Sequence, residues 1–354
     1  MFKFKNNEII PIFFSTDDNY VKFLDVAVRS LIKNASRDYK YKIIVLNTGL
    51  NLENTSKIKA LEDENFQIEF ADISFAVEDL KNKLPNLYHF GLAAYYRLFI
   101  QSLYPEYNKI LYLDCDIVVT GDVSKLYFSE VGDNLVAGVV EQFILRTPEF
   151  SKYTKEAVGV DSKDYINSGI MIMNLKAFRK HRIEEKFTYL INKYNFDVID
   201  PDQAYINFLC KGKIKYLDVS WNRTPIEDID CENPNIVHYA LYKKPWQYDD
   251  VFLGEYFWRY AKESPFYEDI IAIKSSFDDE AKVKKERAGI EIKEHGLRAV
   301  EGDNNFVKVF NSHPEENINI FDNEVEQTNI SKNILSDAAK ISLNILKGKH
   351  LNFK

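Results

Sequence analysis

Short apolar runs alternate with helix-periodic stretches through the first two-thirds of the chain, a rhythm that predicts a mostly parallel sheet covered by helices. Ile9–Ser15 is apolar along most of its length, as a buried strand requires. Behind Asp17-Asp18-Asn19-Tyr20, apolar residues at Val21, Leu24, Val28, Leu31 and Ile32 fall on one face of a helix. Lys42–Leu46 returns as a strand and closes a β-α-β unit. Further strands are predicted at Gln67–Phe70, Lys109–Leu113, Val136–Val140 and Ile170–Asn174, with helices near Leu92–Leu103, Ala177–Asn195 and Pro201–Leu209. The pattern changes near Ser275, where Asp278–Arg287 is dense in charges of both signs and asparagine and glutamate then prevail. This divides the chain into a domain at 1–274 and a helix-rich extension at 275–354. Near 330–347, Ile330, Ile334, Leu335, Ala338, Ile341 and Ile345 recur at helical spacing with lysines between them. That is an amphipathic helix suited to docking on its own domain or on a partner, and with less support from its few lysines, on a membrane surface.

Composition narrows the class. With 354 residues, 45% hydrophobic and 28% charged, the chain has the make-up of an ordinary globular protein. A formal net charge of -8 argues against a broad nucleic-acid surface, which needs clustered lysine and arginine. Cys115, Cys210 and Cys231 lack the paired spacing of a disulfide framework or a zinc site, and so fit a reducing compartment. No apolar run has the length of a signal peptide or a membrane span, so the expected location is cytoplasmic, with peripheral contact at the inner membrane face through the extension.

The chemistry begins at Ile110–Val119, where an apolar strand runs out into Asp114-Cys115-Asp116. Open α/β sheets bind ligands beyond the carboxyl ends of their strands, and two hard oxygen donors there suit magnesium or manganese bridging a diphosphate. An isolated Asp-x-Asp is equally at home in a solvated turn. The segment Ile236–Trp246 supplies company: a strand delivers His238, whose neutral imidazole can complete a metal shell, and a basic turn follows with Lys244 as a point charge for phosphates.

Taken together these motifs resemble glycosyltransferase family 8, retaining enzymes of the GT-A fold that use nucleotide-sugar donors, commonly UDP-glucose or UDP-galactose. The resemblance runs from about Ile9 to Tyr267. It implies a single Rossmann-like α/β domain, a divalent metal (manganese or magnesium) and a UDP-sugar. Ser15, Asp17, Asn19 and Tyr20 match the family's opening strand end and Asp-x-Asn-Tyr, which implies that they surround uracil and ribose. Arg97, in Tyr96-Arg97-Leu98, is implied to face the donor, and Asn167-Ser168-Gly169 matches the family's Asn-Ser-Gly turn. Asp114, Asp116 and His238 are the implied metal ligands. Asp202 is implied to bind sugar hydroxyls, with Gln203 placed where an oxocarbenium ion forms and Lys244 on the phosphates. The chain departs from the family at Leu241, where the closing motif carries glycine, so the backbone's approach to the diphosphate is altered there.

For such a reaction the main task is to stabilise charge on the departing diphosphate, which a metal and Lys244 would share, and a leaving group this good needs no separate acid. Retention requires a covalent intermediate or attack from the face the diphosphate leaves. An amide is a feeble nucleophile, which favours the same-face route. The acceptor expected is a glycan, lipopolysaccharide-like or glycoprotein. Two other readings use the same residues: a non-catalytic nucleotide-sugar or carbohydrate-binding protein, and a phosphatase of the haloacid dehalogenase type, whose Asp-x-Asp ends the first strand of its fold.

Overall fold

The computed structural model describes residues 9–77, 92–240, 243–317 and 320–321. Its strands are β1 (Ile9–Ser15), β2 (Lys40–Asn47), β3 (Phe66–Asp72), β4 (Ile110–Leu113), β5 (Ile117–Val119), β6 (Val136–Val140), β7 (Ile166–Met173), β8 (Ile214–Tyr216) and β9 (Ile236–His238). Seven form one sheet in the order β3-β2-β1-β4-β7-β6-β8, while β5 and β9 pair separately. Parallel pairing joins β3, β2, β1 and β4, and again β6 with β8; β7 runs antiparallel to both β4 and β6. The central strands are apolar on both faces because both are covered: β1 and β4 are buried almost throughout. One core lies on each side of the sheet. Val21–Asn34 (α1) packs Leu24, Val28 and Leu31 into the first with Ile12, Ile43 and Leu111.

The second core holds Phe13, Tyr112, Phe187 and Tyr205, and residues beyond 275 belong to it. Ala299, Phe306, Val309 and Phe310 are buried there, with Phe306 tilted against Phe196 at 4.1 Å and Phe310 edge-on to Phe208 at 4.8 Å between ring centroids. Three further helices position the site: α2 (Pro148–Tyr153), α3 (Pro201–Leu209) and the long α4 (Asp279–Glu301). Asp278 caps α4 through its carboxylate, which accepts from the Ala281 amide at 2.9 Å. The amphipathic segment at 330–347 lies outside the described residues.

Local structure departs from the sequence pattern in three places. Leu92–Leu103 is a 3-10 helix to Phe99 and an α-turn from Ile100, since over eight residues apolar spacing does not separate three residues per turn from 3.6. Ala177–Asn195 is two helices, Leu175–Lys180 and Ile183–Lys193, broken at Arg182 with φ 56°. Neither glycine nor proline marks that break. Asn167-Ser168-Gly169 lies inside β7 rather than in a turn. The β6–β7 register slips between Gly138 and Val140, so Gly138 opposes Met171 while Val140 opposes Ile166. The bulge takes Asn167–Gly169 out of regular pairing and turns these residues toward the site.

Candidate active site

The Asp pair occupies the gap between β4 and β5, at the carboxyl end of the sheet. Asp114 is held by its own amide, which donates to the Gly169 carbonyl at 2.7 Å. On the other side, the antiparallel register of β5 and β9 sets Ile117 opposite His238, and the Tyr239 amide donates to the Asp116 carbonyl at 2.9 Å. A residue 122 positions downstream thus arrives beside the pair: His238 Nε2 lies 3.2 Å from Asp116 Oδ1 and 3.8 Å from Asp114 Oδ2. One ligand atom from each of Asp114, Asp116 and His238 lies within 4.8 Å of the others. Gly169 leaves the space, since a Cβ there would fall 2.5 Å from Asp114 Oδ2 and closer still to His238 Cε1. Two carboxylates and an imidazole around a cradle that a single methyl group would fill are a donor set fit for a divalent cation.

A chain of amides orients the imidazole. Asn167 Nδ2 donates to Glu141, and because a carboxylate only accepts, Asn167 Oδ1 must face the other way. That oxygen accepts from Gly169 N at 2.9 Å and from Asn222 Nδ2 at 2.9 Å. Asn222 Oδ1 is then left to accept from His238 Nδ1 at 2.9 Å, so the Nε2 lone pair points at Asp114 and Asp116. Glu141, Asn167, Asn222 and His238 are all buried.

The cations of the site are engaged by its carboxylates. Arg97 donates to Asp114 Oδ1 at 2.8 Å and to the Ser168 carbonyl at 2.5 Å, pairs with Asp202 Oδ2 at 3.1 Å, and stacks over Tyr112 with 4.1 Å to the ring centroid. Burial works to lower its basicity, and Asp114 and Asp202 overcome this and raise it. Lys244 Nζ donates to Asp116 Oδ2 at 2.7 Å and to the Tyr239 carbonyl, at the start of a turn closed by the Gln247 amide. Burial pushes the Asp116 carboxyl up, but neighbouring positive charge, led by Lys244, outweighs it and holds the group well below the usual carboxylate range.

At the start of α3, Asp200 does not cap the helix with its side chain. It accepts instead from Tyr165 at 2.5 Å, Tyr153 at 3.0 Å and Gln203 Nε2 at 3.1 Å, and burial raises its pKa to about 7 despite those donors. This fixes the Gln203 amide: its Oε1 accepts from the Ser168 amide at 3.0 Å. Asp202 accepts from Ser168 Oγ at 2.9 Å, and burial raises its pKa against the opposing pull of Arg97.

These groups line one cavity of about 630 Å³. Ser15, Asp17, Tyr20, Arg97, Asp114, Asp116, Asn167, Asp202, Gln203, His238 and Lys244, all expected from the sequence, lie on it. Asn19 does not; it sits exposed on the turn before α1. Leu241 falls outside the described residues. Glu141, Asp200 and Asn222 carry no motif and are not legible as site residues, because their roles depend on partners as far as 55 positions away. One wall of the cavity comes from α4, through Glu286, Gly289, Ile290, Ile292 and Lys293.

A family model, Glycosyl transferase family 8, matches residues 11–250. A relative from Haemophilus influenzae is 27% identical over 221 residues, which span 62% of this chain and 65% of its own length. The lipopolysaccharide 1,2-glucosyltransferase of Escherichia coli K12 is 25% identical over 280 residues, covering 74% of this chain and 80% of the enzyme. Among solved structures, the galactosyltransferase LgtC in complex with donor and acceptor sugar analogues superposes with a TM-score of 0.62 at 25% identity, over 72% of this chain and 96% of that one. The sheet and its helices are accordingly a GT-A-like fold.

Proposed function

The chain belongs to glycosyltransferase family 8, and we propose that it transfers a hexose, glucose or galactose, from a UDP-sugar to a glycan acceptor with retention of anomeric configuration. The observation that carries this reading is the cluster of Asp114, Asp116 and His238, assembled from β4, β5 and β9 inside the family match. Those three residues would hold manganese or magnesium, which supplies Lewis-acid stabilisation to a diphosphate leaving group. Lys244, poised at Asp116, adds a positive charge on the same side. Ser15, Asp17 and Tyr20, at the end of β1 and the start of α1, line the part of the cavity assigned to uridine. Arg97 aligns Asp202 for the sugar hydroxyls.

Gln203 holds its amide oxygen on the Ser168 backbone, an arrangement that supports the same-face route over attack by Gln203. Support for a hexose and a glycan comes from relatives: one is named a lipopolysaccharide glucosyltransferase and another is a galactosyltransferase solved with donor and acceptor sugar analogues. Membership of the family and the position of Asp114 after the fourth strand, not the first, count against the phosphatase reading. Among the described residues no helix is long and apolar enough to cross a membrane. The test is UDP release from UDP-glucose and UDP-galactose with manganese, with and without glycan acceptors, followed by mass spectrometry of the product. Tight donor binding with neither hydrolysis nor transfer would replace this reading with that of a binding protein.

A further inference from the structure

Helix α4 lies beyond the residues matched by the family model, yet it forms one wall of the donor cavity. Two glycines seven residues apart share the face it turns to the domain. At Gly296 a Cβ would meet Tyr153 Cβ and Ile199 Cδ1, each at 3.5 Å, so the helix lies in van der Waals contact with α2 there. At Gly289, two turns earlier, a Cβ would meet no atom of the described residues within 4 Å. The same face therefore closes at one end and opens at the other. Glycine in a helix interior costs about 1 kcal/mol relative to alanine, and at Gly289 no packing requirement explains it.

Beside this opening the lining of the cavity becomes largely apolar. Phe143, Ile144, Phe150, Ile199, Ile290 and Ile292 line it. Ile290 is 58% exposed, an apolar side chain left in solvent at the mouth, and Phe143 is half-buried with its ring 5.7 Å from Phe150. The charged groups that α4 contributes to the lining are Glu286 and Lys293, and Lys293 pairs with Glu149 at 3.1 Å. A UDP-sugar held at Asp114, Asp116 and His238 with its hexose toward Asp202 and Gln203 leaves this end for the second substrate.

We propose that the apolar end of the cavity, between α4 and Phe143 to Phe150, binds the apolar aglycone of a saccharide acceptor, and that Gly289 keeps it open. The proposal rests on the glycosyltransferase reading and adds the acceptor's chemical class to it. Sugar hydroxyls would sit at the polar centre, with the attached alkyl or aryl group along Ile290 and Phe143. Each methylene buried there strengthens binding, so acceptors with an apolar group should outperform those without.

The experiment measures UDP release from UDP-glucose and UDP-galactose with manganese, alone and with methyl or octyl β-glucoside and β-galactoside. In the unmodified protein at least one octyl glycoside should accelerate release, with a KM about tenfold or more below that of its methyl counterpart. Gly289→Ala, which favours the helix, should behave alike. Gly289→Phe, measured against its own release without acceptor, should lose the octyl-dependent acceleration by about tenfold or more, with no fall in unfolding temperature. Ile290→Ser, at an exposed position that leaves folding intact, should raise the octyl glycoside KM and leave the methyl glycoside KM unchanged. Equal performance of methyl and octyl glycosides, no acceleration by either, or normal acceleration in both Gly289→Phe and Ile290→Ser overturns the proposal. Each of these results leaves the donor reading standing if release without acceptor is intact. Absence of both donor binding and release overturns that reading and this proposal with it.

Discussion

Replacing Asn222 by leucine tests whether the buried amide chain sets metal affinity. Asn222 accepts from His238 Nδ1 and donates to Asn167 Oδ1, both at 2.9 Å, and is 1% exposed, so no solvent substitutes for either bond. In Asn222→Leu the imidazole N–H loses its acceptor and Asn167 Oδ1 keeps only the Gly169 amide. An unpaired buried polar group costs about 1–3 kcal/mol, so the unfolding free energy should fall by an amount in that range. The imidazole also loses what fixes its tautomer and ring orientation, and such losses weaken metal binding by about 10–100-fold. Asn222→Asp supplies the discriminating comparison. Its carboxylate still accepts from His238 Nδ1 but places an oxygen against Asn167 Oδ1, so stability should fall while metal affinity is kept. Manganese binding by titration calorimetry, read beside urea unfolding, separates the two quantities. An Asn222→Leu protein with the original manganese Kd, or equal loss of affinity in both variants, would refute the orienting role.

Other consequences follow from the same geometry. Chelation with EDTA should abolish UDP release, and manganese should restore it; release that survives chelation would remove the metal from the reaction. Arg97→Ala leaves Asp114 and Asp202 without their shared cation and should cost about 3–5 kcal/mol in urea unfolding, whereas Arg97→Lys should fold but lose at least about tenfold in kcat/KM, because an ammonium cannot reach both carboxylates and the Ser168 carbonyl. Gln203→Ala should lower kcat with little change in donor KM, and full turnover in this variant would count against any direct role. Glu184 is buried, accepts from Ser102 Oγ at 2.8 Å, and has its pKa raised by burial to about 8. The folded protein keeps this proton after the unfolded chain has lost it, so its contribution to stability falls as pH rises from about 4.5 to about 8. Glu184→Gln should therefore gain on the parent protein between pH 5 and pH 8, by up to about 5 kcal/mol in paired unfolding experiments.

How far the sequence is legible follows the range of the forces involved. The bounds of β1, β6 and α3 coincide with the apolar runs and with Pro201 at a helix start, because each element is dictated by residues inside it. The break at Arg182 does not, since a positive φ at an arginine is imposed by the packing of the two flanking helices and leaves no glycine to read. In the site, Asp114, Asp116 and His238 are legible through their company, because an Asp-x-Asp alone is as much at home in a solvated turn and the other motifs along the chain give it its meaning. Asn222 and Glu141 are not, because an amide that orients another amide has no spacing rule. Their direction is set from Glu141, across Asn167, and only the folded register of β5 with β9 and the bulge in β7 bring the series together.

The charge on the cavity explains why these residues work as a unit. Among the described residues seven that bear carboxyl groups line it, Asp17, Asp114, Asp116, Glu141, Asp200, Asp202 and Glu286, against the cations Arg97, Lys244 and Lys293. Asp200, with its pKa near 7, removes part of that imbalance by holding a proton, and Lys293 is spent on Glu149 outside the centre. What remains at the centre is Arg97 shared between Asp114 and Asp202, and Lys244 on Asp116. Such a cavity repels a diphosphate on its own, since each cation is already matched by a carboxylate and the buried oxygens are weakly screened. Binding of an anionic donor therefore needs added positive charge at the one place where two carboxylates and an imidazole lone pair converge. Lys244 then matters through its position, because the carboxylate it now neutralises is one that a divalent cation would also engage. The acidic excess that looks unsuited to a nucleotide ligand is, on this reasoning, what makes donor binding conditional on the metal.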